Sequence, residues 1–346
     1  MRAALRRILR DSWKRRSALA LLLWPVSVVY GALAGLRRAI FQAEMLQVAR
    51  AAVPVIVVGN VVAGGGGKTP VVMALVSYLG ARGLRAGVIS RGYGRRGQEC
   101  REVLDRSLAT DVGDEPLLIK QTTGAPVFVA QRRIDAAHAL LAAHPCVDLL
   151  VSDDGLQHHG LYRDIEICVF DEGGVGNGWL LPAGPLRERW PRSCDFVLYA
   201  GRPLGKAGFA IKRTLASHAR RSDGSQLALQ DLRDAGRQNG APLWAVAGIA
   251  QPEVFFTMLR DQGLTLAGTQ VLADHADFGA AGWSSPREHT LLCTEKDAVK
   301  LWRRRPDALA VPLVVEIEPA FWQAFDTLLS QRSGAKLSSS HGHTPT

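Results

Sequence analysis

The sequence predicts an α/β fold in which a mostly parallel sheet carries helices on both of its faces. Two observations predict this fold: short apolar runs alternate with helix-like stretches, and a glycine-rich segment directly follows the first of those runs. Such alternation is typical of a parallel sheet, and ligands bind it at the carboxyl ends of its strands. The expected strands are Val53–Val58, Ala86–Ser90, Pro126–Val129, Val147–Ser152, Ile165–Phe170 and Phe196–Ala200.

The glycine-rich segment predicts a phosphate-binding loop of the P-loop NTPase type. Residues 59–70 read GNVVAGGGGKTP and lead from the first strand into a helix-like stretch. Glycines let backbone N–H groups face an anion, while Lys68 would reach the β- and γ-phosphates and Thr69 would join a Mg²⁺ shell. The usual pattern has a glycine where this chain has Val62, and a flexible turn is the alternative interpretation. The glycines expected to cradle the phosphates are Gly64, Gly65, Gly66 and Gly67.

The composition indicates a protein with a sizeable core and with anionic partners. The chain has 346 residues, 47% of them hydrophobic, and its formal net charge is +10. This charge suits phosphates, acidic lipids or nucleic acid. Five scattered cysteines, none in a C-x-x-C pair, favour a reducing compartment without structural disulfides or a zinc site.

Residues 1–40 predict a segment associated with a membrane. Residues 1–16 contain seven Lys or Arg and one Asp, and residues 17–36 contain no charge. As a helix, the apolar run would be roughly 30 Å long, about the thickness of a bilayer core. Because both flanks are basic and Pro25 interrupts the run, we expect it to lie in the cytoplasmic leaflet rather than to span the membrane. The alternatives are a buried core helix and a basic arm for nucleic acid, although no nucleic-acid reading motif occurs. The aromatic residues expected at the interface are Trp13, Trp24 and Tyr30.

Two acidic motifs indicate phosphoryl chemistry. Asp153 and Asp154 end the apolar run that begins at residue 148. An aspartate at a strand end near a phosphate loop typically holds Mg²⁺ or its water shell, although Asp-Gly also forms plain turns. We expect Asp153, the residue nearer the strand, to be the direct ligand. Asp114 precedes Pro116 at an expected helix start, where it would either cap the helix or accept a hydroxyl proton.

Further polar residues accompany these motifs. Gln157, His158 and His159 follow the aspartate doublet closely and would orient substrate or water, or else be merely solvated. His275 lies between two aspartates, and a carboxylate beside a histidine tunes the charge or tautomer of that histidine.

Eight motifs occur in order across residues 54–300, and together they resemble the tetraacyldisaccharide 4'-kinases of lipid A biosynthesis. This chain departs from the family pattern at Gly66, where the family has Thr, and at Arg189, where it has Pro. The motifs are PVIVVGNVVAGGGGKTP (54–70), GVISRGYGR (87–95), VGDEP (112–116), SDDGLQHH (152–159), LLPAGPLRE (180–188), VAGIAQPEVFF (246–256), ADHADF (273–278) and TEKDAVK (294–300).

The resemblance implies a lipid kinase. Its reaction would move the γ-phosphate of ATP, with Mg²⁺, to the 4'-hydroxyl of a tetraacylated glucosamine disaccharide 1-phosphate. The setting would be the cytoplasmic face of the bacterial inner membrane. The implied partners are the lipid disaccharide and an anionic membrane surface, without nucleic acid and without an obligatory protein partner. The rival interpretation is a membrane-recruited P-loop ATPase switch of the partitioning or targeting type, and a third is a non-catalytic nucleotide-binding scaffold.

The resemblance also implies roles by position. Lys68 and Thr69 would hold the triphosphate and Mg²⁺, and the metal-side carboxylates would be Asp153 and Asp154. Asp114 would be the base on the acceptor hydroxyl, with His275 of the second domain as its partner. The residues implied to bind substrate or nucleotide phosphates are Arg91, Tyr93, Gln157 and Arg187.

The chain is expected to divide into five segments. The apolar runs after residue 242 predict a smaller C-terminal α/β domain, and the polar tail has a composition typical of disorder. The segments are the N-terminal membrane-associated segment (1–40), the P-loop kinase domain (41–205), a linker with a hairpin at residues 221–224 (206–241), the C-terminal domain (242–332) and the disordered tail (333–346).

Overall fold

The computed structural model describes residues 8–9, 11–43, 45–64, 67–203, 208–237, 241–273, 278 and 288–333. The strands are β1 (Val55–Gly59), β2 (Ala86–Ser90), β3 (Arg101–Glu102), β4 (Val127–Val129), β5 (Leu149–Asp153), β6 (Ile165–Phe170), β7 (Phe196–Tyr199), β8 (Phe209–Leu215), β9 (His218–Arg220), β10 (Gln226–Ala228), β11 (Leu243–Ala247), β12 (Leu266–Val271), β13 (Thr290–Thr294), β14 (Leu309–Val311) and β15 (Leu313–Ile317). The helices are α1 (Ala18–Gln42), α2 (Lys68–Ala81), α3 (Ala109–Val112), α4 (Asp114–Thr123), α5 (Arg133–Ala143), α6 (Leu229–Arg237), α7 (Pro252–Asp261), α8 (Glu295–Leu301) and α9 (Pro319–Ser333).

The larger sheet has nine strands in the order β15-β8-β7-β6-β1-β5-β2-β4-β3. Neighbouring strands are parallel except at the two edges, where β3 and β15 are antiparallel to their neighbours. All six strands expected from the sequence occur in it, so the predicted mostly parallel sheet is confirmed. β1 lies between β5 and β6 with its whole length buried. A strand covered on both faces must be apolar throughout, which explains its unbroken run of Val and Ile.

Helices cover both faces of this sheet. Ile56 and Val58 belong to the core that also contains side chains of α2, α4 and α9. Val55 and Val57, one residue out of phase, pack with α5 on the opposite face. Because side chains alternate along a strand, one short run serves both cores. The carboxyl edge of the sheet is left open for the loops that follow β1, β2, β4 and β5.

The second sheet has six strands in the order β10-β9-β14-β13-β11-β12. Its central strands are parallel, and α7 and α8 pack against it. The expected hairpin is confirmed, since β9 and β10 pair antiparallel and the N–H of Arg221 donates to the carbonyl of Ser225 at 2.8 Å. The segment 206–241 is not only a linker, however, because β8 within it is a strand of the larger sheet.

The end of the chain returns to the larger sheet, which differs from the boundaries expected for the C-terminal domain. β15 pairs antiparallel with β8, and α9 covers the sheet with an aromatic face. Phe321 and Phe325 are buried in the main core, and the ring of Trp322 stacks on Tyr78 at 3.9 Å. The aromatic face of α9 thus packs into the core of the larger sheet. The second unit is thus an insertion between β8 and β15. Of the expected disordered tail (333–346), Ser333 is instead the buried last residue of α9, and residues 334–346 lie outside the described residues.

Helix α1 lies against the larger unit along one face only. Ser17 caps its start, and Ser27 exchanges hydrogen bonds with the loop around Leu180 and Ala183 at 2.9 Å. The opposite face is exposed and apolar, which contradicts the alternative of a buried core helix. The helix is long and apolar enough to cross a membrane. The exposed residues include Leu21, Leu22, Trp24, Val26, Val28, Val29, Leu33 and Leu36.

Two of the three aromatic residues expected at the membrane interface contact the protein instead. The indole N–H of Trp13 donates to the carbonyl of Pro182 at 2.9 Å, and the hydroxyl of Tyr30 donates to the carbonyl of Arg187 at 3.1 Å. The buried polar end of each side chain finds a backbone acceptor there. Trp24 is about half exposed. The helix is therefore fixed to the loop at residues 180–188, which leads into the site.

Candidate active site

The glycine-rich loop connects β1 to α2 at the carboxyl edge of the larger sheet. Gly67 caps α2 in the left-handed region, at φ +67°. A side chain at this position would also meet the guanidinium group of Arg213, 2.7 Å from the expected Cβ. The positive φ favours glycine here, and the absence of a side chain lets the guanidinium group approach the backbone closely. The first N–H groups of α2 have no partner within the helix, and with the helix dipole they attract an anion.

Lys68 is oriented toward this loop from the first turn of α2. Lys68 and Thr69 are both buried. The Nζ of Lys68 donates to Oδ1 of Asn60 at 3.3 Å and lies 3.4 Å from Oδ1 of Asp154. The ammonium group is therefore held between the residue that follows β1 and the residue that follows β5. A cation held in this way beside backbone N–H groups can bind phosphate oxygens.

The aspartate doublet presents two different carboxylates. Asp153 is buried at the end of β5, and its Oδ1 has no hydrogen-bond partner among the described residues. Burial, and then the negative charges of Glu115 and Asp154, raises the pKa of Asp153 to about 7. Burial acts in the same direction on Asp154, but the positive charges of Lys68 and Arg187 lower its pKa below the usual value. Asp154 is thus ionised and paired, while Asp153 keeps an unused acceptor.

The carboxyl group of Asp153 suits a magnesium ion, and the roles of Thr69 and Asp154 as further ligands stay predictions. Within the described parts of the chain, no group of three or more His, Cys, Asp or Glu is arranged to hold a metal. Mg²⁺ does not require such a cage, because it usually binds one or two carboxylates and takes its other ligands from water and substrate phosphates. The unpartnered Oδ1 of Asp153 is an acceptor suited to it, and a divalent cation would favour the ionised form of that carboxyl group.

Two more carboxylates reach this edge from the start of α4, and lysines of the second unit hold both. The Nζ of Lys300 donates to Oδ2 of Asp114 at 2.8 Å, and the Nζ of Lys296 donates to Oε1 of Glu115 at 3.2 Å. The two lysines are four residues apart on α8, so they lie on the same side of that helix. Glu115 is also close enough to raise the pKa of Asp153. The two units therefore meet at the phosphate-binding edge.

Gln157 and Arg187 form a hydrogen-bonded bridge over the doublet. The Nε2 of Gln157 donates to the carbonyl of Asn60 at 2.9 Å and to Oε1 of Glu188 at 2.7 Å. One guanidinium nitrogen of Arg187 lies 3.3 Å from Oε1 of Gln157 and 3.4 Å from Oδ2 of Asp154. This network joins the loop at residues 180–188, to which α1 is fixed, to Asn60 in the phosphate loop. Both residues are thus close to the predicted metal carboxylates.

Arg91 and Tyr93 lie in the loop after β2 at the same edge, with exposed side chains. Gly92 between them has φ +69°, and its expected Cβ would be 2.6 Å from the carbonyl oxygen of Val112. The close approach that glycine permits holds this loop against the residues that precede Asp114. The exposed arginine and tyrosine therefore border the site, and their role as substrate contacts stays a prediction.

Sequence reasoning missed three residues of the site. Asn60 orients Lys68, and Lys300 pairs with Asp114. Arg133 is buried at the start of α5 and donates to the carbonyls of Asp153 and Asp154 at 3.1 and 3.3 Å. A signal existed for two of them, since Asn60 and Arg133 follow expected strands at their carboxyl ends. No local signal relates Lys300 to an aspartate that lies 186 residues away.

Three predicted site residues lie outside the described residues: Gly65, Gly66 and His275. Their roles as phosphate-binding glycines and as the partner of Asp114 stay predictions. Lys300 supplies a positive charge to Asp114 from the second unit, a role that the sequence analysis gave to His275.

His158 and His159 make the stability of the fold sensitive to acid. Both are half-buried, and burial together with nearby arginines lowers the pKa of each imidazole to about 4. An unfolded histidine takes up a proton near pH 6.5, so between that pH and about 4 the unfolded state binds more protons. We therefore expect the contribution of each histidine to the free energy of unfolding to fall as the pH falls through this window. The raised pKa of Asp153 acts in the opposite direction, but it is common to wild type and variant. Urea denaturation of both proteins therefore isolates His159: the stability of the wild type relative to His159→Gln should fall as the pH falls, and a difference independent of pH would contradict the prediction.

The fold and the site together define a P-loop nucleotide-binding protein, with its loop between β1 and α2 and a carboxylate doublet at the end of β5. The model of the tetraacyldisaccharide-1-P 4'-kinase family matches residues 19–332. The chain belongs to that family, so the resemblance found in the sequence is confirmed.

Relatives and a solved structure agree with this assignment. A tetraacyldisaccharide 4'-kinase from Acidovorax sp. (strain JS42) is 56% identical over 331 residues, which cover 94% of this chain and 96% of that protein. One from Polaromonas naphthalenivorans (strain CJ2) is 53% identical over 351 aligned residues; the match covers 99% of this chain and 100% of that protein. The crystal structure of the "apo" form of LpxK from Aquifex aeolicus in complex with ATP is similar with a TM-score of 0.78 and 25% identity, covering 91% of this chain and 99% of that one.

Proposed function

We propose that this protein transfers the γ-phosphate of ATP to the 4'-hydroxyl of a tetraacylated glucosamine disaccharide 1-phosphate, a step in lipid A biosynthesis. Family membership supports the reaction. The observation that carries it in this chain is the position of Asp114, a buried carboxylate that Lys300 holds at the same edge as Lys68 and Asp153. A phosphate loop with such a carboxylate beside it has what transfer to a hydroxyl requires.

On the nucleotide side, the chain would act by binding and orientation. The N–H groups at the start of α2 and the ammonium group of Lys68 would bind the phosphate oxygens, which bear most of the charge in a loose transition state. Thr69, Asp153 and Asp154 would hold Mg²⁺, which when bound neutralises charge on the β- and γ-phosphates. Arg133 fixes the backbone of the doublet by donating to its two carbonyl groups.

On the acceptor side, Asp114 would accept the proton of the 4'-hydroxyl as that oxygen attacks phosphorus. A nearby ammonium group favours the ionised form of a carboxylate, and Lys300 provides one at 2.8 Å. Arg187 and Gln157, with Arg91 and Tyr93 at the rim, would orient the sugar or its phosphate. His275 would be a further partner of Asp114. Contact between the two units over the site would exclude water and so suppress hydrolysis of ATP.

The ATPase-switch alternative is not favoured. A switch of that kind hydrolyses ATP with water and has no use for an acceptor-side base, whereas this chain belongs to a kinase family and buries Asp114 beside a lysine of the second unit. Conversely, a non-catalytic scaffold does not need Lys68, Asp153 and Asp154 in one cluster.

Phosphate transfer tests the proposed function directly. The full chain in detergent micelles is incubated with γ-³²P-labelled ATP and a tetraacylated disaccharide 1-phosphate, and the labelled lipid is counted. The matched control is the same lipid without its 4'-hydroxyl. Label in the first lipid and none in the second is expected. Release of labelled phosphate with no labelled lipid would contradict the proposal in favour of the switch.

We further propose that the protein works at the cytoplasmic face of the bacterial inner membrane, where the acyl chains of its acceptor lie. The exposed apolar face of α1 supports this, since monomeric soluble proteins rarely expose a continuous apolar face of this length. Basic residues border the helix at both ends, with Arg15 and Arg16 before it and Arg37 and Arg38 in its last turns. Such residues attract anionic head groups.

Polar substitutions on this face are expected to weaken membrane binding. Leu22 and Leu33 are 75% and 63% exposed, so their replacement by serine removes apolar contacts with lipid and leaves the fold intact. We expect Leu22→Ser with Leu33→Ser to lower the vesicle partition coefficient by about tenfold or more, because each leucine contributes roughly 1.5–3 kcal/mol on burial. Co-sedimentation with phosphatidylglycerol-containing vesicles measures it. Leu104→Ser, an exposed leucine outside α1, is the control, and an unchanged double variant would contradict the prediction.

A further inference from the structure

Arg213 is a mostly buried cation beside the glycine-rich loop, and none of the roles above uses it. It lies on β8 with 15% of its side chain exposed. Its Nε and Nη2 are buried without a hydrogen-bond partner among the described residues. A carboxylate oxygen of Glu172 lies 3.8 Å from Nη1, which is too long for a hydrogen bond, and the side chain of Glu172 is 54% exposed.

This arrangement is costly unless a ligand completes it. A guanidinium group stays charged at any pH that a protein tolerates. Leaving its donors buried and unpaired costs free energy, so native structures seldom contain such groups without a reason. The planar pair of nitrogens on one side of the group matches two oxygens of a phosphate.

The unpartnered nitrogens face the phosphate loop. The expected Cβ of Gly67 would lie 2.7 Å from Nη2 and 3.1 Å from Nε of Arg213. These are the two atoms that lack partners. Gly67 is the cap of α2, whose first N–H groups form the anion-binding end of that helix. An anion bound at the loop would therefore lie next to both unpaired donors.

The strand order indicates which part of the nucleotide would lie beside Arg213. β8 reaches the loop from the side of β6 and β7, whereas the aspartate doublet ends β5 on the other side of β1. Asp114 also lies on the β5 side, since Glu115 beside it raises the pKa of Asp153. The γ-phosphate must face those carboxylates and the acceptor. Arg213 therefore approaches the phosphates from the side opposite the acceptor, where the leaving ADP would lie.

We propose that Arg213 binds the α- or β-phosphate of the nucleotide, on the diphosphate that leaves as ADP. This inference rests on the proposed function, because a nucleotide is its ligand. Negative charge accumulates on the leaving β-phosphate as the bond to the γ-phosphate breaks. A guanidinium group that already faces this position stabilises that charge without rearrangement.

Calorimetric titration with ATP, ADP and adenosine tests the proposal without any turnover. The Kd for ATP and for ADP is expected to rise by about 10- to 100-fold in Arg213→Gln, the range for a charge-assisted hydrogen bond. Adenosine binding should not change. Arg213→Lys keeps the charge but loses the paired nitrogens, so its loss should be intermediate. The matched control is Lys212→Gln, which removes an exposed charge from the neighbouring position.

Each other outcome overturns the inference in a distinguishable way. Unchanged ADP binding with weakened ATP binding would move Arg213 to the γ-phosphate. Unchanged binding of both, with a melting temperature lowered equally in Arg213→Gln and Glu172→Gln, would make the residue a structural partner of Glu172. If the glutamine variant does not fold, wild-type affinity in Arg213→Lys together with a lowered melting temperature has the same meaning. No nucleotide binding by the wild type would instead contradict the proposed function itself.

Discussion

Asp114→Asn is expected to lower kcat for phosphate transfer by about 10²- to 10⁴-fold, the usual contribution of a general base. Asparagine preserves the shape of the side chain and still offers an oxygen to Lys300, which donates at 2.8 Å in the wild type. It has no basic oxygen for the proton of the acceptor hydroxyl. The Kd for ATP should stay close to that of the wild type, because Asp114 is not proposed to bind the nucleotide.

The measurement separates chemistry from folding and binding. Single-turnover transfer of ³²P to the lipid gives the rate, and titration calorimetry gives the Kd for ATP. Asp111→Asn is the matched control, since Asp111 lies three residues upstream on α3 and pairs with Arg101 away from the site at 3.4 Å. Transfer by Asp114→Asn at the wild-type rate would remove Asp114 from the mechanism. A loss shared equally by the control would point to the local fold instead.

Lys68→Ala should produce the other large effect, a fall in kcat/KM for ATP of about 10²- to 10³-fold, comparable to the loss of a preorganised transition-state contact. The ammonium group lies 3.4 Å from Asp154 and is oriented by Asn60, so it would meet the phosphates without rearrangement. Lys68→Arg is not expected to restore activity. The larger planar group does not fit the position held between Asn60 and Asp154.

Turnover of ATP with and without lipid acceptor measures this prediction. The control is Lys212→Ala, which removes the same charge from an exposed position on β8. Wild-type turnover in Lys68→Ala would contradict the kinase site proposed at this loop. Far-ultraviolet circular dichroism of the unliganded variants excludes a general loss of fold.

Much of the fold could be predicted because its signals are local. The buried strands are continuous apolar runs such as that of β1, and the loop after it contains glycines where a phosphate requires backbone access. Strand ends also indicated where the site lies. Asp153 and Gln157 lie near Lys68 because parallel strands end at one edge. Residue periodicity and turn chemistry were sufficient for these predictions.

The remainder depends on contacts that sequence patterns do not encode. The alternation in β15 shows that one face is apolar but not which sheet it joins, and α9 gives no indication that Phe321 packs on Phe196. The ion pair between Lys300 and Asp114 joins residues 186 positions apart. Likewise, the aromatic residues of the N-terminal segment were expected at the lipid interface, whereas Trp13 and Tyr30 donate hydrogen bonds to backbone carbonyls of the larger unit.

The insertion of the second unit between β8 and β15 limits how that unit can move. The two strands pair from Leu215 with Leu313 onward, and the N–H of Ala216 donates to the carbonyl of Pro312 at 2.9 Å where the chain leaves and returns. The two chain segments that connect the units, one after β8 and one before β15, lie side by side. They can bend together, but they resist rotation about each other. The six-stranded unit should therefore move as a hinge, by rotation about a single axis through the two connecting segments. Any opening of the cleft would draw Lys296 and Lys300 away from the carboxylates of α4 in a single step.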